Sequence, residues 1–182
     1  FELHRGTYTS QARIKLLNRR AEQALRQAEA WSVAAGAGYP AAELERAWKV
    51  LLTNQFHDIL PGSSIDWVYE DAERELGSVI QTALAITGDA QKRLAGEGDQ
   101  LVVFNVNSHA RREVIEVGAA LRSVEVPACG WAVQEPDLAP AAGGVAVSEG
   151  LMENALLRVS WDGDGLLTVS YTHLTLPTIL RV

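Results

Sequence analysis

The feature that most restricts the fold is a change of hydrophobic period partway along the chain. Ahead of Gly96-Glu97-Gly98-Asp99, apolar residues recur every three or four positions, as on one face of a helix. Beyond it, they cluster in short alternating runs, as in strands. The first stretch has three such stripes. Ile14, Leu17, Ala21, Leu25, Ala28 and Trp31 form one; Leu44, Trp48, Leu51 and Leu52 a second; Ile65, Val68, Ala72, Leu76, Val79 and Ala83 a third. Arg13, Lys15, Arg19, Arg20, Glu22, Arg26 and Glu29 fall on the opposite side of the first stripe and read as a solvated face. Three amphipathic helices with short joints predict an antiparallel three-helix bundle from about Ser10 to Ala95.

Local signals set the expected ends. Thr9 or Ser10 can cap the first helix. Gly36-Ala37-Gly38-Tyr39-Pro40 ends it, and Pro40 suits the first turn of the second. Pro61-Gly62 breaks the second pattern. Ser63, with Asp66 three residues on, reads as a capping-box start for a third helix running from about Ser64 to Ala95. At ~1.5 Å per residue that helix spans roughly 45 Å. Trp31, Trp48 and Trp67 are expected to anchor the core, and residues 1–8 read as a loop.

Beyond the glycines, Leu101 to Val106 is a short apolar strand. Arg112–Val117, Ser123–Val126, Trp131–Gln134, Val145–Val147, Ala155–Val159 and Leu166–Thr168 are strand-like. Asp162-Gly163-Asp164-Gly165 reads as a hairpin turn rather than a calcium loop, because no full ligand pattern follows. The fold class is therefore α+β, a helical bundle followed by the first antiparallel strands of a β-sandwich.

Charge and cysteine content remove some functions. The net charge is −7, with 23 acidic against 16 basic residues, which argues against nucleic acid or an anionic membrane surface as partner. No apolar run reaches the ~18 residues of a membrane span. Cys129 is alone, so an internal disulfide and a thiolate metal cluster are both excluded; it reads as a buried, inert thiol.

The chemistry-bearing stretch is Asn54-Gln55-Phe56-His57-Asp58-Ile59-Leu60-Pro61-Gly62-Ser63-Ser64, which joins the second and third helical patterns. It places His57 and Asp58 where one helix ends. A neutral imidazole there can bind a metal ion, and the adjacent carboxylate can bind metal or sugar hydroxyls. Equally, the two can be a hydrogen-bonded pair that pins the corner. The residue types leave both readings open.

The wording of the stretch adds to this. Leu51 through Ile65 resembles a signature of the family 38 glycoside hydrolases, the α-mannosidases, in their bacterial, cytosolic and vacuolar branch. Glu2-Leu3-His4-Arg5-Gly6-Thr7-Tyr8-Thr9-Ser10-Gln11 resembles the segment just before that family's middle domain. Phe104-Asn105 and Glu153 to Val159 look like landmarks of its C-terminal β-region. The resemblance covers residues 1–168. It implies that 1–9 end a catalytic-domain segment, 10–96 form the three-helix middle domain, and 97–168 begin the β-sandwich.

The implied function is retaining hydrolysis of terminal α-D-mannose from oligosaccharides, as part of mannose and carbohydrate catabolism. That chemistry uses two carboxyl groups across the scissile bond. It also implies one divalent cation, zinc or else cobalt, with two His and two Asp as ligands. His57 corresponds to the last metal-ligand His, and Asp58 to a residue that contacts the bound sugar. Glu2, His4, Arg5 and Tyr8 would line the sugar cleft. Of His4, His57, His109 and His173, none has Asp two positions later, so the family's His-x-Asp motif is absent here. The nucleophile and the acid/base are expected upstream, and the 182 residues alone are expected to be inactive. A mannose-containing oligosaccharide is the implied partner, with no nucleic acid and no membrane; a homo-oligomer in the full-length enzyme is left open. The branch implies a cytoplasmic location. A non-catalytic carbohydrate-binding module and a helical protein-interaction scaffold are the alternative readings.

Val169-Ser170-Tyr171-Thr172-His173-Leu174-Thr175-Leu176-Pro177-Thr178 looks like a translated sequencing adaptor. Residues 169–182 are therefore set aside from the fold, and His173 is given no role.

Overall fold

A computed structural model of the chain describes residues 5–36, 38–134, 144–171 and 180–181. Three helices come first: α1 (Ala12–Ala35), α2 (Ala41–Asn54) and α3 (Asp66–Ala95). Strands follow: β1 (Val102–Asn105), β2 (Arg111–Val117), β3 (Ala120–Val126), β4 (Gly130–Val133), β5 (Ala146–Ser148), β6 (Leu151–Glu153), β7 (Leu157–Trp161), β8 (Leu167–Tyr171) and β9 (Leu180–Arg181). The expected order of a bundle and then antiparallel strands holds.

The core sits between the helices, with α1 packed most extensively on α3. Ile14, Ala21, Leu25 and Ala28 of α1 meet Leu44, Ala47 and Leu51 of α2 and Tyr69, Ala72, Leu76, Val79 and Ala83 of α3. Each fully buried Leu contributes about 1.5–3 kcal/mol relative to exposure. Leu52, Ile65 and Trp67, all expected to face the core, are exposed instead. Leu52 is exposed because it follows Leu51 around the helix by one position. Ile65 precedes α3 in extended backbone (φ −80°, ψ 158°) and points away from the bundle. Trp67 is 68% exposed, and the buried aromatic of that turn is Tyr69. Trp48 is half-buried and donates its indole N–H to Glu29 Oε1 at 3.0 Å.

The helix starts also differ from expectation, because the candidate capping hydroxyls are used elsewhere. Arg5–Tyr8 is a short 3-10 helix rather than a loop. The Gly6 carbonyl accepts from Thr9 N (3.1 Å) and Ser10 N (2.7 Å), and Ser10 Oγ donates to the Gly62 carbonyl (3.3 Å). Helix α1 therefore begins after Gln11, in left-handed backbone and with no side-chain cap. Likewise Ser63 Oγ donates to Asp58 Oδ1 (3.3 Å), so α3 starts two residues later than expected, with Asp66 in its first turn. The C-terminus of α1 is as read: Gly36 takes φ +66° and its N–H reaches the Val33 carbonyl.

All strand pairs among the described residues are antiparallel. They form a β1–β4 pair, a β2–β3 hairpin and a five-stranded meander β5-β6-β7-β8-β9. The register puts Phe104 opposite Trp131. Trp31, at the end of α1, lies edge-on to both rings, with centroids 5.2 Å and 6.4 Å away. This aromatic trio joins the bundle to the strands. Asp162 Oδ1 accepts from the N–H groups of Asp164 and Leu166, closing the β7–β8 turn as a hairpin. Cys129 is exposed rather than buried; it sits in the tight turn after Pro127 at φ +44°. Strand β8 continues to Tyr171, into the run set aside as adaptor-like, where its backbone pairs with Leu157–Val159. Backbone pairing asks only for extended chain and is open to any such sequence.

Candidate functional site

The corner between α2 and α3 is built from the inside outward. Its base is a set of buried and half-buried amides and carboxylates around the end of α2. Asn54 is 2% exposed and donates to the Val50 carbonyl (2.9 Å) and to Glu75 Oε2 of α3 (2.8 Å). Gln55 Nε2 donates to Asn18 Oδ1 (3.0 Å) and Glu22 Oε1 (2.9 Å) of α1. Arg19 completes the group by donating to Glu22 Oε2 at 2.7 Å. Neighbouring residues of one helix end therefore reach both other helices. Charge-assisted bonds of this kind are the stronger class, and their shielded setting makes a missing partner costly.

Above this base the chain turns tightly. Ile59 N and Leu60 N both bond the Phe56 carbonyl, and Gly62 N bonds the Ile59 carbonyl. The Asp58 carbonyl accepts from Ser63 N (3.2 Å), Ser64 Oγ (2.8 Å) and Tyr69 Oη (3.4 Å). Lys15 Nζ donates to the carbonyls of Leu60 (2.9 Å) and Ser10, and burial lowers its pKa from the usual lysine value. Gly62 sits at φ +91°, hard against Ser10. The backbone of the corner is thus tied to α1, α3 and the segment before α1.

The side chains of interest stand off this fixed backbone. His57 and Asp58 are 74% and 61% exposed, with His57 Nε2 3.7 Å from Asp58 Oδ2. The Phe56 ring lies 4.2 Å from the imidazole, tilted at 48°. Asp58 has Ser63 Oγ on one oxygen, which leaves the carboxylate room for further donors. Phe56, Ile65 and Trp67 are also exposed, so large apolar groups flank the pair along the chain.

Of the other expected site residues, Tyr8 is brought to the corner. It lines a cleft of about 410 Å³ with Thr7, Lys15, Asn18, Leu60 and Pro61. Arg5 is exposed on the same 3-10 turn. Glu2 and His4 lie outside the described residues, as does His173. A cleft of about 550 Å³ between α2 and α3 contains none of the expected site residues.

Among the described residues, no three His, Cys, Asp or Glu side chains come together as a metal ion would require. His57 offers an accessible imidazole, and with Asp58 makes at most part of a ligand set. The corner can supply one imidazole donor and one carboxylate acceptor to something outside it.

Asn54, Gln55, Asn18, Glu22 and Glu75 were not marked as site residues by sequence reasoning. A signal was present. Asn18 lies four residues after Ile14, and Asn54 three after Leu51, so each is a polar residue in step with an apolar stripe.

The family described as "Alpha mannosidase middle domain" matches residues 2–94. The Homo sapiens protein "Alpha-mannosidase 2C1" is 35% identical over 189 residues, covering 92% of this chain and 18% of that protein. The Saccharomyces cerevisiae "Alpha-mannosidase" is 44% identical over 77 residues, covering 38% of this chain and 7% of its own length. A solved glycosyl hydrolase family 38 protein from Enterococcus faecalis superposes with a TM-score of 0.74 at 16% identity. That superposition covers 96% of this chain and 31% of the other. At that identity the likeness speaks for the fold. The chain spans about 18% of the length of the first curated relatives it matches.

Proposed function

Because this chain belongs to the α-mannosidases through their middle domain, we propose that it works within a longer retaining α-mannosidase that removes terminal α-D-mannose from oligosaccharides. The observation that carries this reading is the corner itself. Its backbone is tied down from several sides while His57 and Asp58 remain exposed. A pair that served only to pin the corner would be turned inward and satisfied there. Preorganised donors and acceptors on a rigid frame are what a binding site requires.

In this reading His57 presents a neutral imidazole nitrogen as one ligand of a divalent cation, zinc or cobalt. A bound cation of that kind would grip two sugar hydroxyls and favour ring distortion. Asp58 accepts hydrogen bonds from the sugar, and Ser63 holds one of its oxygens in place. Tyr8, beside Leu60 and Pro61, adds a hydroxyl to the rim, with Arg5 one turn away. The exposed Phe56, Ile65 and Trp67 supply apolar surface that the rest of the enzyme would cover. The nucleophile and the acid/base belong to other parts of that enzyme.

Asp58→Asn in the longer enzyme tests the reading. It keeps the shape and removes the charge. Turnover of an aryl α-mannoside should fall by about 10² or more, if the contact tightens in the transition state, with metal content unchanged. Unaltered turnover would remove Asp58 from the sugar site.

A further inference from the structure

Another cleft, of about 340 Å³, opens at the far end of α1, where the bundle meets the strands. It is independent of the corner and of the function proposed for it. Trp31 and Phe104 form its apolar part. Arg26 of α1 and Arg111 at the start of β2 bring two guanidinium groups to it, and no carboxylate among the described residues lines it. In a chain with 23 acidic and 16 basic residues, that is a local reversal of sign.

The two arginines differ in how they are held. Arg26 is exposed and has no ion-pair partner among the described residues. Arg111 donates through Nε (2.8 Å) and Nη2 (2.6 Å) to Glu113 Oε1. That contact offsets part of its charge but fixes the plane of the fork. The Nε/Nη2 edge is thereby taken, and the Nη1 end of the guanidinium is what remains for an anion.

The amides of Gln23, Gln27, Gln91 and Asn107 also line the cleft. Each amide carries both donors and an acceptor, a match for hydroxyl groups, which do the same. Trp31 is the buried part of this wall. The residue is 3% exposed, yet its indole N–H has no partner among the described residues, whereas that of Trp48 is taken by Glu29.

We infer that this cleft binds a sugar phosphate of monosaccharide size. The phosphate takes the guanidinium groups of Arg26 and Arg111, and the hydroxyls take the amides. The cleft volume lies at the small end of ligand sites, which excludes longer chains from being enclosed.

The test is calorimetric titration of the 182-residue chain with glucose 6-phosphate, with glucose and inorganic phosphate as separate arms. Glucose 6-phosphate should bind saturably, at least about tenfold tighter than either part alone, and more weakly as salt rises. Arg26→Gln should weaken it about tenfold, the loss of one charge-assisted contact. Arg74→Gln, which removes an exposed arginine elsewhere, should leave it unchanged. Absence of saturable binding, equal affinity for inorganic phosphate, or indifference to Arg26→Gln would each overturn the inference.

Discussion

Replacing Gly62 by alanine tests how firmly the corner is held. The residue has φ +91°, a conformation that a side chain makes unfavourable by about 1–2 kcal/mol. An added Cβ would lie 2.9 Å from the Ser10 carbonyl oxygen and 2.9 Å from Ser10 Oγ. One of those contacts is backbone and cannot rotate aside. Relief requires the two segments to separate, which breaks the Ser10 Oγ to Gly62 carbonyl bond, worth about 1 kcal/mol. The total is about 2–3 kcal/mol, or roughly 5–10 °C in melting temperature for a chain of this size. Denaturant unfolding followed by far-ultraviolet circular dichroism reads the helices directly. The midpoint should fall without a change in slope. Gly88→Ala is the internal control. It lies within α3, where a Cβ meets nothing within 4 Å, so it should stabilise by about 0.5–1 kcal/mol. If Gly88→Ala behaves so while Gly62→Ala stays within about 0.5 kcal/mol of the parent, the close-contact argument is wrong.

Four further outcomes follow from the packing, the chemistry and the charges. Asn54→Asp sets a second carboxylate against Glu75 in a buried position and should cost about 2–3 kcal/mol at neutral pH, partly regained as pH falls through the carboxylate range; no pH dependence beyond that of the parent would count against the Asn54–Glu75 contact. Thr87→Val removes a buried hydroxyl with no partner among the described residues and should raise stability by about 1 kcal/mol; a loss would mean that the hydroxyl is satisfied. Burial first, and then Glu29, raise the Tyr39 pKa above 10.0, so its stabilising share is full below pH 10.0 and is lost as pH rises through the folded value; in ultraviolet titration Glu29→Gln should bring that ionisation down, and an unmoved curve would refute the coupling. The 182-residue chain should release no p-nitrophenol from the aryl α-mannoside above background, and robust release would sink the proposal that the reacting carboxylates lie elsewhere.

Much of the helical half was legible because periodicity reports burial directly. Ile14, Leu25, Leu44, Leu51 and Leu76 are all fully or nearly fully buried, as their spacing requires. The errors fall where a residue type has two uses. Ser10 and Ser63 can each cap a helix, but each donates its hydroxyl across a loop instead. Trp67 and Ile65 look like core residues, yet the turn between them and α2 rotates them outward, and Tyr69 fills the place. The joint made by Trp31, Phe104 and Trp131 depends on residues far apart in sequence, which no local period can pair. At the site, the words Phe56-His57-Asp58 were legible, but their support was not. Asn54 and Gln55 were read only as the start of the joining stretch, and their reach to Glu75, Asn18 and Glu22 reveals a clamp.

The most direct test of the account is the metal content of the longer enzyme carrying His57→Ala, measured on folded protein. His57 is 74% exposed on a corner whose backbone bonds do not involve its side chain. Its removal should leave the melting temperature close to that of the metal-free parent while tightly bound metal drops well below one ion per molecule, since loss of one ligand opens a coordination position to water. A full complement of tightly bound metal in that variant would remove His57 from the site.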